Sequence, residues 1–224
     1  MRFIVLTTLI LILTSCDDKT SSAKVPFIGH YDLSYSSVNG EKHIDTVYQP
    51  IERFTYLNQD SVIVNNETYN GKVLITEFFF ASCPTICPIM NTQMAKLNHA
   101  VQEMNVQPKV EFLSFSIDPS NDTPSALKRY KKMYGADFKN WDFLTGDEAF
   151  THRLGIESFK VFAGREAEAA GGYAHSGAFS MVDTNGYLRG VYHITDFDGS
   201  VNNTEYNRLL KDLKTLIESA LVTN

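Results

Sequence analysis

The stretch "FFFASCPTICPIM", residues 78–90, decides the fold. Two cysteines stand four positions apart, each followed by proline, directly behind three phenylalanines. Upstream, "GKVLITEFFF" (71–80) is a near-continuous apolar run, the pattern of a central strand covered on both faces. Downstream, Met90, Met94, Leu97, Val101 and Met104 recur at steps of four and three, the stripe of an amphipathic helix. Pro88 suits the first turn of that helix, where its missing N–H costs nothing. Thiols at a helix start face unpaired backbone N–H groups and the positive end of the dipole, which lower their pKa from about 8.5. Disulfide exchange and metal binding both require thiolate. Position therefore predicts reactivity without choosing its use.

A strand that feeds a cysteine-bearing turn and then a helix is the thioredoxin arrangement. The flanking sequence agrees. "KVEFLSFSID" reads as a strand, and a helix follows from Thr123-Pro124 to Gly135, with Thr123 as cap and Pro124 as first residue. "WDFLTG" is a further strand, with a short helix over 147–154, and "SFKVFA" (158–163) is strand-like. Two β runs flank Asn185-Gly186, a strong hairpin signal. Leu209, Leu213, Leu216 and Ile217 mark an amphipathic terminal helix. Before the cysteines, residues 26–50 read as a short hairpin or an extended arm with a turn at Asn39-Gly40, and "RFTYLNQDSVIV" (53–64) as a second hairpin. The expected fold is thus α/β and thioredoxin-like, with a mixed central sheet, an extra N-terminal hairpin and a late β-hairpin.

The chain has 224 residues, 43% of them hydrophobic and 12% aromatic, enough for one domain with a real core. Its net charge is −6, and no basic run or aromatic–basic interleaving points to nucleic acid. The N-terminus, "MRFIVLTTLILILTSC", places one positive charge before an apolar run from Phe3 to Leu13. That run is shorter than the roughly 20 residues of a membrane span and suits a secretory signal. Small residues directly before Cys16 resemble a bacterial lipoprotein signal, cleaved before Cys16 with lipid carried on that thiol. This divides the chain into a signal peptide (1–15), a tether and N-terminal arm (16–47) and the thioredoxin-like domain (48–224). It places the protein in the cell envelope, lipid-anchored and facing the periplasm or exterior. In that oxidising setting cysteines are usually paired or protected. With Cys16 assigned to lipid, Cys83 and Cys87 are the only pair left.

Three residues, Pro84, Thr85 and Ile86, separate these thiols, where thioredoxin-type redox enzymes generally have two. The longer turn lets both sulfurs face one object between them, and it still permits a disulfide. Such a disulfide would close only a small loop, so a purely structural crosslink explains little. Thioredoxin-like reductases also carry a late cis-proline against their cysteines, and here the last proline is Pro124. "GGYAHSGAFSMVD" offers His175 for that slot. Two thiolates and an imidazole suit copper, above all Cu(I); zinc accepts the same donors but normally wants a fourth. Of the other histidines, His99 and His152 read as exposed helix residues, His30 and His43 belong to the N-terminal arm, and His193 is a second candidate at the hairpin's end. The helical spacing of Met90, Met94 and Met104 points to core packing rather than thioether ligation.

These blocks together resemble the SCO/SenC family of copper-binding assembly factors for cytochrome c oxidase. The resemblance covers roughly residues 48–215 and rests on "GKVLITEFFFASCPTICP", "FLSFSIDPSNDTPSALKRY", "NWDFLTG" and "HSGAFSMVDTNGYLRGVY". It implies copper, as Cu(I) or Cu(II), held by Cys83, Cys87 and His175, and a redox disulfide between Cys83 and Cys87. It also implies a metallochaperone role, with a cytochrome c oxidase subunit or another copper-receiving protein as partner. Many members place aspartate immediately before the ligand histidine; here Ala174 stands there, which alters what can orient the imidazole. Asp118 and Asp122 read as turn and helix-start residues. The rival expectation is a thiol–disulfide oxidoreductase that reduces the cysteines of a metal-receiving partner.

Overall fold

Asn39 and Gly40 both take left-handed backbone, with φ of 54° and 83°, so the chain reverses sharply between them. Strand β1 (Tyr31–Val38) consequently pairs antiparallel with β2 (Glu41–Tyr48) as a sheet of its own. The computed structural model describes residues 24–134, 138–169, 171–196 and 198–222. The apolar leader and Cys16 lie outside the described residues.

The central sheet is built from β3 (Thr55–Asn58), β4 (Ile63–Asn65), β5 (Val73–Phe79), β6 (Val110–Ser116), β7 (Trp141–Thr145), β10 (Ala178–Val182) and β11 (Leu188–His193). Between them run α1 (Cys87–Glu103), α2 (Pro124–Tyr134), α3 (Glu148–Glu157), β8 (Ala163–Arg165) and β9 (Tyr173–His175), and α4 (Asn203–Val222) closes the chain. The strand order is β11-β10-β5-β6-β7-β3-β4. Strands β5, β6 and β7 run parallel, because α1 and α2 provide the long crossovers that parallel neighbours require. The hairpins β3–β4 and β10–β11 add antiparallel edges on either side. The sheet is mixed, and both hairpins expected there form.

Every residue of β5 and β6 is buried, as the unbroken apolar runs require of strands covered on both faces. On one face Phe79 packs on Tyr130 of α2 and on Phe143, and Lys96 of α1 lies over the Tyr206 ring of α4. On the other face Phe78 stacks on Phe115 and leaves Gly155 of α3 no room for a side chain beyond tight contact. The stripe Met90, Met94, Leu97 and Val101 is wholly buried, as its spacing implies, and Met104 packs against the core.

Two expectations need correction. Residues 158–162 are not a strand; only Ala163–Arg165 is, paired with β9 in a small separate sheet. Phe159 and Val161 are buried in alternation, which imitates a strand, but Lys160 between them sits at φ 57° and breaks the extended path. His152 is half-buried rather than exposed: its Nε2 lies 2.9 Å from the Ile117 carbonyl oxygen. His99 is exposed as expected, with its ring edge-on to Phe138.

One buried acid stands out in β5. Glu77 is fully buried, and its Oε1 accepts a 2.6 Å hydrogen bond from the Ser114 hydroxyl, which itself accepts from Trp141 Nε1 at 2.9 Å. Oε2 has no partner among the described residues. Desolvation raises the Glu77 pKa from 4.5 to about 8, against the lowering pull of Ser114. The folded chain therefore holds a proton that the unfolded chain releases once pH passes the lower value. Stability should fall as pH rises from about 4.5 to about 8 and then level off. Glu77→Gln, which keeps the acceptor for Ser114, should remove this component. Denaturant unfolding of both proteins across that range checks it; parallel stability curves would show that Glu77 is not held protonated.

A candidate copper centre

Strand β5 delivers the chain to the site, and Phe80 and the turn after it present the thiols. The Cys83 N–H bonds the Phe80 carbonyl at 3.1 Å, closing the turn. Cys87 is the first residue of α1 and Pro88 the second. Ile86, at the cap position, offers no side-chain acceptor to the free N–H groups of that first turn. Cys83 Sγ, on the turn before the helix, lies 3.6 Å from the Thr85 hydroxyl oxygen.

His175 ends β9 and comes from the opposite side. Its Nε2 lies 3.0 Å from Cys87 Sγ and 4.0 Å from Cys83 Sγ. Among the described residues these three form the one cluster of potential metal donors, with all donor atoms within 4.8 Å of one another. His193, the second candidate, is exposed and outside the cluster. His30 and His43 lie exposed on the N-terminal arm.

The two thiols are unbonded and electrostatically unequal. A hydrogen bond from Cys87 draws the Cys83 thiol well below the ordinary range, and contacts with His175 and the backbone add to this. Burial pushes Cys87 the other way, reinforced by the shared bond to Cys83 and its charge. The surroundings thus favour the thiolate at Cys83 over Cys87. Cys87 is completely buried and Cys83 nearly so, while His175 is half-exposed.

The donor set fits copper. Metal–donor bonds of roughly 2.0–2.3 Å in a trigonal site put donors about 3.5–4 Å apart. The observed sulfur–nitrogen distances of 3.0 and 4.0 Å bracket that separation, so shifts of side chains alone can close the site. Two sulfurs and an imidazole are the soft set that Cu(I) prefers. Nδ1 of His175 is buried without a hydrogen-bond partner among the described residues, in keeping with alanine at position 174, which has no acceptor to give it.

Several residues that support the site escaped the sequence-based reading. Phe80, counted there as strand core, meets the His175 ring edge-on at 6.0 Å and packs on Tyr173 at 5.3 Å. Asp122 does more than begin a helix: its Oδ2 accepts from Ala81 N at 3.1 Å and Ser116 Oγ at 2.6 Å, fixing the start of the cysteine loop. Asp118 accepts from Ser120, Asn121 and, at 3.2 Å, the hydroxyl of Tyr173. One loop after β6 therefore braces both halves of the site. No local signal in the sequence reveals this, because Ala81 and Tyr173 are distant in the chain.

The SCO1/SenC family model matches residues 45–210. A SCO1 protein homolog of Bacillus subtilis (strain 168) is 33% identical over 184 residues, 82% of this chain and 91% of that protein. The crystal structure of a SCO1/SenC family lipoprotein from Bacillus anthracis superposes with a TM-score of 0.66 at 31% identity, covering 75% of this chain and 95% of that one. BsSco, a member of the Sco family of cytochrome c oxidase assembly proteins in which a disulfide switch was identified, gives a TM-score of 0.61 at 32% identity over 75% and 92% of the two chains. With the family model spanning residues 45–210 and a homologue 33% identical over 82% of its length, this chain belongs to the SCO1/SenC family.

Proposed function

We propose that the protein is a copper-binding metallochaperone, tethered to a membrane by lipid on Cys16, that delivers copper during cytochrome c oxidase assembly. Copper is its cargo. Reduced Cys83 and Cys87 with neutral His175 hold the ion as Cu(I) or Cu(II), and a recipient takes it by ligand exchange. Oxidation of the two thiols to a disulfide, with two electrons passing to an external thiol oxidant and two protons to water, removes two of three donors and releases the ion, which couples loading to redox state. The observation that carries this reading is the convergence of two sulfurs and one imidazole nitrogen within 4.8 Å at the head of α1. Family membership supports the assembly role, the disulfide switch of BsSco supports the redox coupling, and the lipoprotein from Bacillus anthracis supports the anchor.

The thiol–disulfide oxidoreductase reading draws on the lowered pKa of Cys83, which favours the thiolate form that attacks a partner disulfide. One experiment separates the two. Titrating copper into reduced and oxidised protein should give one equivalent bound to the dithiol form and none to the disulfide form. Equal binding by both forms would overturn the chaperone reading. Rapid turnover of a disulfide substrate, without appreciable copper affinity, would establish the reductase instead.

A further inference from the structure

The β1–β2 hairpin stands apart from the central sheet with fifteen of its sixteen strand residues exposed. Its register sorts its side chains by chemistry, since alternate residues point to opposite faces. Tyr31 opposite Tyr48, Leu33 opposite Thr46 and Tyr35 opposite Ile44 share one face, with Ser37 and Lys42 at its tip. Tyr35 is 73% exposed and Ile44 63%, so this face is a contiguous apolar patch open to its surroundings. The other face holds every acid of the hairpin, Asp32, Glu41 and Asp45, among serines, His43 and two valines.

The hairpin also has a defined place on the molecule. β5 runs toward the cysteines, and β10 pairs back along it so that Val182 meets Leu74 at the far end. The turn after Val182 therefore lies at the pole opposite the thiols. There the arm is fastened: Ile28 N bonds Leu188 O at 3.1 Å, Ile51 N bonds Gly186 O at 2.8 Å, and Phe27 stacks on Tyr48. Arg189 covers Phe27 and bonds the Val25 and Pro26 carbonyls.

We infer that the Tyr31–Leu33–Tyr35–Ile44 face of this hairpin seats on the lipid surface to which the chain is tethered. The inference rests on the reading of Cys16 as the lipid-bearing residue. Fifteen positions separate Cys16 from Tyr31, a path of at most about 50 Å, which keeps the hairpin within reach of the bilayer. Tyrosines with neighbouring aliphatics suit the membrane–water interface, where the ring is apolar and the hydroxyl wet. The single cation of that face, Lys42, favours anionic headgroups, and the carboxylates are turned away. Seated so, the protein holds its thiol–histidine site at the pole facing away from the membrane.

The test uses the full lipidated chain on vesicles of phosphatidylcholine and phosphatidylglycerol, with and without bromine on the acyl chains. Trp141 is the native tryptophan and is fully buried, so a second one reports locally. Bromolipid should lower the added fluorescence of Tyr35→Trp about twofold and leave that of His43→Trp, on the opposite face, nearly unchanged. Equal quenching of both variants, or of neither, on sedimented vesicles would overturn the hairpin contact while leaving the anchor standing. Protein that fails to sediment with vesicles overturns both. A stable dimer in detergent that buries the position-35 tryptophan assigns the face to a second copy and overturns the proposal.

Discussion

Replacing His175 with alanine is expected to weaken copper binding about 10²–10³-fold. A four-donor structural metal site contributes roughly 10–16 kcal/mol in all, so each donor is worth about 3–4 kcal/mol, and this site has only three to lose. The imidazole lies 3.0 Å from one sulfur and 4.0 Å from the other, with no second donor among the described residues to take its place. The dithiol pair persists in the variant, so residual two-coordinate Cu(I) binding remains and Cu(II) binding suffers more. Competition titration with a chromophoric chelator, alongside the charge-transfer spectrum of the Cu(II) form, reads the effect. Identical affinity and spectra for wild type and His175→Ala would sink the three-donor site.

The second large effect concerns stability. Phe115→Ala should cost about 3–5 kcal/mol. Phe115 is completely buried on β6, and four rings surround it: Phe54 at 5.4 Å, Tyr56 at 5.2 Å, Phe78 at 5.2 Å and Phe159 at 5.6 Å. Those rings come from three segments, Phe54 and Tyr56 at β3, Phe78 on β5 and Phe159 after α3, so the cavity cannot collapse from one side. For a chain of this size the same loss lowers Tm by about 10 °C. Chemical denaturation of the variant measures it. A loss below about 1 kcal/mol would mean that the surrounding rings repack, contrary to their fixed attachment.

Legibility from sequence followed the range of the forces involved. The β5–α1 unit was plain, because a fully buried strand and a helical stripe are local patterns that tertiary contacts then satisfy. The Asn185-Gly186 hairpin was plain for the same reason, since the turn's backbone requirement selects its residues, whereas residues 26–50 read equally as a hairpin or an extended arm. The trio Cys83, Cys87 and His175 was singled out by cysteine spacing, the lack of a late proline and family resemblance, and the fold brings those side chains together. The segment 158–162 misled, because alternating burial arises from a left-handed kink at Lys160 as readily as from a strand. His152 misled because its carbonyl partner, Ile117, belongs to the loop after another strand. The bracing by Asp118 and Asp122 was invisible, since it exists only once three distant segments meet.

The unequal burial of the two sulfurs gives the site a direction. Cys87 is sealed at the first residue of α1, whereas His175 is half-exposed and Cys83 lies on the turn before the helix. On the delivery role proposed above, a recipient's donor arriving from solvent would meet the half-exposed imidazole before either buried sulfur. Transfer of that kind would be an ordered peeling, in which the innermost sulfur keeps hold until the acceptor has already made its first bonds. Handed over in that order, the ion would pass from donor to donor rather than through the surrounding water.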